Sequence, residues 1–419
     1  MLIAALAPAG AAHAADPLRG QQWGLSMVES DAAHSVTRGA GAVVAVIDTG
    51  VLSSHEDLQG RVVAGHDFVS NDDTPQDGNG HGTHVSGIVA ANDGNGVGVS
   101  SVAPDAKVMP IRVLDDDGSG SSNDIAAGID WAVARGAQVI NLSLGPDVPI
   151  VDSAPEVGDA ISRALDRGVV VAAASGNDGL PVCEQPQVQG RMLCVGSVDK
   201  RGSRSFFSSF GQGLGIVAPG GSALPFPNED ILSTYNDGGY EELAGTSQAT
   251  PHVSGVAALL VSKGVTGQAA VDRILGTARD VGPAGPDSQY GAGIVNARAA
   301  VAGLGGPGSG AAGGKNSSFR VSVRLRQRIV YVLHHGIIVR CRASGSGTCR
   351  AAATRSRTRV AAGSHRLRAG KTAMVRARAT RKGRRLLRRA LRKRSRVRVR
   401  LRVTLPGAGA QVRRLTLRP

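Results

Sequence analysis

Ala42-Val43-Val44-Ala45-Val46-Ile47-Asp48-Thr49-Gly50 carries an unbroken apolar run into an aspartate and a turn. A strand with one wet face alternates apolar and polar residues; a run without interruption belongs to a strand buried on both faces. Similar runs follow at residues 107–114, 138–144, 169–174 and 192–198. Between them, residues 84–91, 123–135 and 156–167 carry helical spacing, and 250–263, 268–277 and 295–304 do so afterwards. Doubly buried strands separated by helices specify an α/β fold, a parallel sheet with helices on both faces. In such folds ligands gather beyond the C-terminal ends of the strands, where Asp48 stands.

Two further motifs answer Asp48. Asn79-Gly80-His81-Gly82-Thr83-His84-Val85-Ser86-Gly87 places a histidine at a helix start, and Gly245-Thr246-Ser247-Gln248-Ala249-Thr250-Pro251-His252 places a serine at another. An attacking serine needs a base for its proton, and the base needs an acid to fix its tautomer and stabilise its charge. Taken singly, Asp-Thr-Gly also reads as a turn, and His81 with His84 as a metal pair. Taken together, in the order Asp, His, Ser, the motifs resemble the subtilisin-like serine proteases, with thermitase-type members the nearest in pattern. That resemblance covers residues 16 to about 303 and implies a triad of Asp48, His81 and Ser247. It further implies that Asn177, ending Val170-Val171-Ala172-Ala173-Ala174-Ser175-Gly176-Asn177, supplies a side-chain donor to an oxyanion.

The same resemblance makes Ser119-Gly120-Ser121 and Ser143-Leu144-Gly145 the two segments between which an extended peptide lies. Leu144, Ala172 to Ala174, Ser175 and Gly176 then frame the pocket for the residue before the cut. These side chains are apolar and uncharged, which points to broad or hydrophobic preference; Leu144 and the alanines read equally as core strand.

Two loops resemble calcium sites. In 67–76 the ligands implied are the side chains of Asp67, Asp72 and Gln76 and the carbonyl of Thr74, with Ser70 standing where related loops carry another aspartate and so weakening the site. The second joins Asp16, Asp57 and Asn95 through side chains with Asn92, Val97 and Val99 through carbonyls. Hard oxygen donors of this mix suit Ca²⁺; a solvated polar loop is the alternative. Residues 16–25 resemble a mature start, leaving no room for the propeptide usual in the family unless the sequence lacks its beginning. Gln248 replaces the methionine usual after the nucleophile.

Charge divides the chain. Of 48 Lys and Arg, 32 lie beyond residue 305 with no acidic residue among them, which leaves 16 basic against all 33 acidic residues before it. The overall +15 is thus a net −17 joined to a +32. The expected organisation is a signal-like apolar segment 1–15 ending in Ala12-His13-Ala14, a catalytic domain 16–304, a Gly-rich linker 305–318 and a basic, β-rich module 319–419. Within that module residues 319–326 and 397–405 alternate as half-buried strands, and Leu386, Leu387 and Leu391 suit a short helix. The pairs Cys183/Cys194 and Cys341/Cys349 suit short disulfide loops in an oxidising compartment, with buried free thiols as the alternative. No apolar run approaches the ~18 residues of a membrane span.

The resulting expectation is a secreted or cell-surface, calcium-stabilised serine endopeptidase acting on proteins or peptides through an acyl-enzyme on Ser247, monomeric by default. Its module 319–419 would meet an anionic cell-surface polymer or membrane surface, or dock on the acidic domain. Export and the scarcity of aromatics for base stacking argue against nucleic acid. The competing reading is a surface-binding protein whose protease domain is inactive or incidental.

Overall fold

The computed structural model describes residues 16–145, 154–185, 191–224, 226 and 228–304. From 319 to 419 it describes all but 324–325, 330–331, 334–336, 344–346, 356–357, 368–371 and 406–408. The signal-like segment 1–15 and the linker 305–318 lie outside the described residues. The chain forms two compact units, within 1–307 and 308–419.

The first unit is built on strands β1 (Val43–Asp48), β2 (His66–Asp67), β3 (Lys107–Arg112), β4 (Val139–Leu142), β5 (Val170–Ala174), β6 (Leu193–Val198) and β7 (Ile216–Pro219). They pair in parallel in the order β2-β3-β1-β4-β5-β6-β7. A hairpin, β8 (Ile231–Thr234) and β9 (Tyr240–Leu243), stands apart from that sheet. The helices are α1 (Trp23–Met27), α2 (Ser30–His34), α3 (His81–Ala90), α4 (Ser122–Ala134), α5 (Pro155–Asp166), α6 (Thr246–Val261), α7 (Gly267–Thr277) and α8 (Ala297–Val301).

Successive strand residues serve opposite layers, as the pleat requires. Val44, Val46, Val139, Val170 and Ala172 pack with α3 and α6 through Val85, Val89, Val253 and Val256. Ala45, Ile47, Ile140, Leu142 and Val171 pack with α4 and α5 through Ile129, Ala132, Ile161 and Ala164. Each large side chain so buried contributes about 1.5–3 kcal/mol. The parallel sheet covered on both faces is therefore the fold that the apolar runs specify. Because β1 has β3 on one side and β4 on the other, the chain leaves it in opposite directions, opening a crevice beyond its C-terminal end.

The second unit is the expected β-rich module. Its sheet has the order β10-β12-β15-β14-β13-β16-β17-β11. The strands are β10 (Phe319–Val323), β11 (Arg326–Arg328), β12 (Ile337–Ala343), β13 (Gly347–Arg355), β14 (Thr358–Leu367), β15 (Thr372–Ala379), β16 (Val397–Leu405) and β17 (Gly409–Arg418). Pairing is antiparallel except between β11 and β17. On β16, Val397, Val399, Leu401 and Val403 are buried while Arg398, Arg400 and Arg402 are exposed. Helix α9 (Arg381–Arg392) buries Leu387 and Ala390 and is capped by the Thr380 hydroxyl, which accepts from the Gly383 amide at 3.0 Å. Cys341 on β12 is bonded to Cys349 on β13.

Candidate active site

Asp48 ends β1 with its carboxylate fully buried. Its Oδ1 accepts from the Thr49 amide at 2.8 Å and from His81 Nδ1 at 2.7 Å, while its Oδ2 has no hydrogen-bond partner. His81 is the first residue of α3, which begins three residues before the apolar spacing starts. The extra turn is held by polar bonds to a group the sequence reading overlooked, the buried Asp77. Its Oδ1 accepts from Thr49 Oγ1 (2.9 Å) and the amides of Asn79 (3.0 Å) and Gly80 (2.8 Å). Its Oδ2 accepts from the Thr83 amide (2.8 Å) and hydroxyl (2.6 Å). An anion before a helix N-terminus satisfies amides that have no partner inside the helix, and that was the available signal.

Burial alone would push the His81 imidazole down, but the charge of Asp48, its hydrogen bond and, more weakly, Asp77 outweigh it and hold the group above 6.5. His84 turns the other way. Its Nε2 faces the carbonyls of Ile231 (2.9 Å) and Glu241 (3.1 Å) on the hairpin, and burial pushes its pKa down to about 3. The metal-pair alternative thus loses its second imidazole to packing.

Ser247 lies in the first turn of α6, and the sequence four residues on explains how it is held. Pro251 has no N–H to give the Ser247 carbonyl. Ser143 Oγ donates to that carbonyl instead, at 2.7 Å. Ser143 Oγ in turn accepts from Asn141 Nδ2 (2.9 Å), whose Oδ1 accepts from Ser254 Oγ (2.8 Å). The Ser247 hydroxyl donates to the Ser143 carbonyl at 3.1 Å. Asn177 Oδ1 accepts from the Thr246 amide (2.9 Å) and hydroxyl (3.0 Å). With its oxygen so occupied, the amide group keeps its NH₂ for another acceptor.

His81 and Ser247 line one cleft of about 380 Å³, together with Ser119, Gly120, Ser143, Leu144 and Gly145. Ser121 stands outside this lining; its hydroxyl caps α4, accepting from the Asp124 amide at 3.1 Å. Ala174 is buried at the end of β5, and Ser175 follows, its amide donating to Val195 O at 2.9 Å. Gly176 sits at φ +107° with the Glu184 carboxyl packed on it, so close that a methyl group there would fall 2.0 Å away. Glu184 and Gln185 also line the cleft, as do the apolar Leu114, Ile125, Ala154 and Val157. Beside the apolar residues expected there, the cleft thus carries one carboxyl group, that of Glu184. Glu184 comes from a loop that no local pattern aims at the site, fixed there by the neighbouring Cys183–Cys194 disulfide and by its amide donating to Ser175 O at 2.9 Å.

The subtilase family profile (Peptidase S8) matches residues 39–293. The chain belongs to the subtilase family. It is 41% identical over 281 residues to thermitase of Thermoactinomyces vulgaris, covering 67% of this chain and 96% of that protein. It is 42% identical over 282 residues to subtilisin Savinase of Lederbergia lenta, covering 67% and 98%. A solved structure of a protease from Pseudoalteromonas arctica PAMC 21717 superposes with a TM-score of 0.63 at 34% identity, covering 70% of this chain and 100% of that one. This subtilase is a subtilisin-like serine endopeptidase acting on protein substrates, and the reading of an inactive or incidental domain is not favoured. Among the described residues, no helix is long and apolar enough to cross a membrane.

The two loops compared with calcium sites differ in fit. Asp57 is fully buried, and burial raises its pKa against the hydrogen bonds from Val99 N (2.8 Å), Asn95 Nδ2 (2.8 Å) and Tyr240 Oη (2.9 Å). Asp16, also buried, accepts from Gly94 N at 2.8 Å and Gly96 N at 3.2 Å, which folds the loop 92–99 around both carboxylates. The contacts on both carboxylates are N–H and O–H donors, and Asn95 Oδ1 accepts from Val97 N at 3.1 Å; two buried carboxylates drawn to one loop still supply the hard anionic oxygens that Ca²⁺ takes. In the other loop Asp67 is already ion-paired to Arg112 at 2.7 Å, and Asp72 Oδ1 accepts from its own loop at Thr74 N, 2.7 Å. The backbone N–H of Gln76 donates to Thr74 O, the carbonyl expected as a ligand, at 2.7 Å. Among the described residues no three His, Cys, Asp or Glu side chains form a metal cluster, so a cation would depend on the amide and carbonyl oxygens.

Proposed function

We propose that this subtilase is a secreted enzyme that cuts proteins through an acyl-enzyme on Ser247. The observation that carries the reading is the 2.7 Å bond from His81 Nδ1 to a fully buried Asp48, with the opposite edge of the imidazole left for the cleft that holds Ser247. His81 Nε2 takes the Ser247 proton as Oγ attacks the peptide carbonyl, once the hydroxyl exchanges its bond to Ser143 O for one to the imidazole. The tetrahedral oxyanion is received by Asn177 Nδ2 and the N-terminal amides of α6. His81 then protonates the leaving amine, and water repeats the sequence on the ester. An extended substrate lies between Ser119–Ser121 and Ser143–Gly145. A fluorophosphonate probe should label the wild-type chain and not Ser247→Ala; an unlabelled, folded wild type would end the reading.

Calcium belongs to the proposal at Asp16, Asp57, Asn92, Asn95, Val97 and Val99, where it would neutralise two buried carboxylates and fix the N-terminal segment. Loop 67–76 would hold it more weakly, since Arg112 already matches Asp67 and Ser70 brings no charge. Binding to the native state alone stabilises by about 2.7 kcal/mol at a hundredfold excess over Kd. Chelation should therefore lower the melting temperature by several degrees, and Asp57→Asn should abolish the calcium dependence. Melting insensitive to both calcium and chelator would remove the ion from the account.

The module 319–419 would carry the enzyme to an anionic surface polymer or membrane through its arginine-lined strand faces. Adsorption of the full chain to such a polymer should disappear at about 1 M salt, where the Debye length is ~3 Å, and on deletion of residues 305–419. Adsorption that survives either treatment would exclude this role.

A further inference from the structure

We infer that Glu184 makes this protease select a basic residue, arginine or lysine, immediately before the cut bond. The inference rests on the reading of the Ser247 cleft as the active site and adds its substrate class. Glu184 is 3% exposed, yet its neighbours are the two walls that lead to the nucleophile. On one side its amide bonds Ser175 O at 2.9 Å and its carboxyl packs on Gly176, the residue before Asn177. On the other, Gln185 Nε2 donates to Leu144 O at 2.6 Å, beside the Ser143 that holds Ser247. The segment thus bonds to both walls of the cleft that holds Ser247.

That position offers a cation a buried acidic partner. Glu184 Oε1 accepts from the Ser209 hydroxyl, and the Asp178 backbone provides a second donor. No basic side chain among the described residues forms an ion pair with it, while the nearby Asp178 adds a like charge. Burial holds its pKa above the ordinary 4.5, the mark of a carboxylate short of compensation. A guanidinium or ammonium entering the cleft supplies charge and donors together. A leucine or phenylalanine in the same place removes water from the carboxylate and returns nothing. Only the glycine at 176 leaves room for this group, since any side chain there would collide with it.

The test uses the full chain and a series of peptide amides differing only in arginine, lysine, leucine or phenylalanine before the cut. Wild type should prefer arginine over leucine in kcat/KM, and Glu184→Gln, which preserves size, should reduce that ratio on the order of 10²-fold. A wild-type preference for leucine or phenylalanine, or a ratio unmoved by Glu184→Gln, would overturn the inference while leaving the proteolytic reading intact. A second measurement needs no turnover. In a Ser247→Ala background, p-aminobenzamidine, a fluorescent arylamidine cation, should bind saturably, and adding Glu184→Gln should weaken it at least about tenfold. Glu184-dependent amidine binding in a wild-type chain that is folded yet cleaves none of the peptides would refute the acyl-enzyme reading and, with it, the selection of a residue before the cut. Binding indifferent to Glu184 would refute the inference alone.

Discussion

Ser247→Ala should lower kcat by about 2 × 10⁶, the loss that the subtilisin family shows for its serine or its histidine. The size follows from what the hydroxyl does here. On the acyl-enzyme reading, loss of Oγ removes the covalent intermediate, and His81 is left with nothing to deprotonate but an unplaced water. The surrounding framework should survive, because the bond that Ser143 Oγ makes to residue 247 goes to the backbone carbonyl, which alanine retains. The distinguishing result is non-additivity. His81→Ala should cost about as much as Ser247→Ala, and the double variant no more than either, leaving about 10³–10⁴ over the uncatalysed rate from Asn177, the helix amides and binding. Measured on one peptide amide, a double variant whose losses multiply would mean that the two groups act in separate steps.

The parts of this site that could be read from the sequence are those whose chemistry is local. Asp48 ends an unbroken apolar strand, and His81 and Ser247 each stand in a short motif at a helix start, so the sequence offers them as candidates and the family resemblance joins them into a triad. The sheet was readable for the same reason, since a strand buried on both faces leaves a continuous apolar run. What escaped is tertiary. β2 has only the two residues His66–Asp67, too short for any periodicity to register, and β7 (Ile216–Pro219) is bounded by Gly215 and by its own terminal proline. Asp77 acts on Thr49, Asn79, Gly80 and Thr83 at once, a role that no single spacing displays. Glu184 reaches the cleft because a disulfide and a backbone bond to Ser175 carry its loop there. Arg112 lies on β3, far in sequence from Asp67, so its claim on that carboxylate altered the calcium reading only once strands β2 and β3 were seen to pair.

Asp48→Asn should reduce kcat by about 3 × 10⁴, the family's precedent for this acid, and should also move the pH profile. In the native site Asp48 Oδ1 receives two donors, His81 Nδ1–H and the Thr49 amide, while Oδ2 receives none. An asparagine has two ways to sit there. With its oxygen toward the donors, its NH₂ occupies the buried Oδ2 position and finds no acceptor. With its NH₂ toward them, it faces His81 Nδ1 as a donor, and the imidazole must place its only proton on Nε2, where it blocks acceptance from Ser247. Either arrangement impairs the base. The sign of the pH effect follows from the same charges. His81 must be neutral to act, so kcat/KM rises with pH through its pKa, which in wild type lies above 6.5 because Asp48 outweighs burial. Removing that charge leaves burial dominant and Asp77 as a weaker opposing influence, so the midpoint should drop below 6.5 as the plateau falls. Chemical shifts of the His81 ring in an inhibitor-free sample, followed against pH in both proteins, would read the two midpoints directly. A variant whose midpoint stays at or above that of wild type would show that Asp48 does not set the charge of the base.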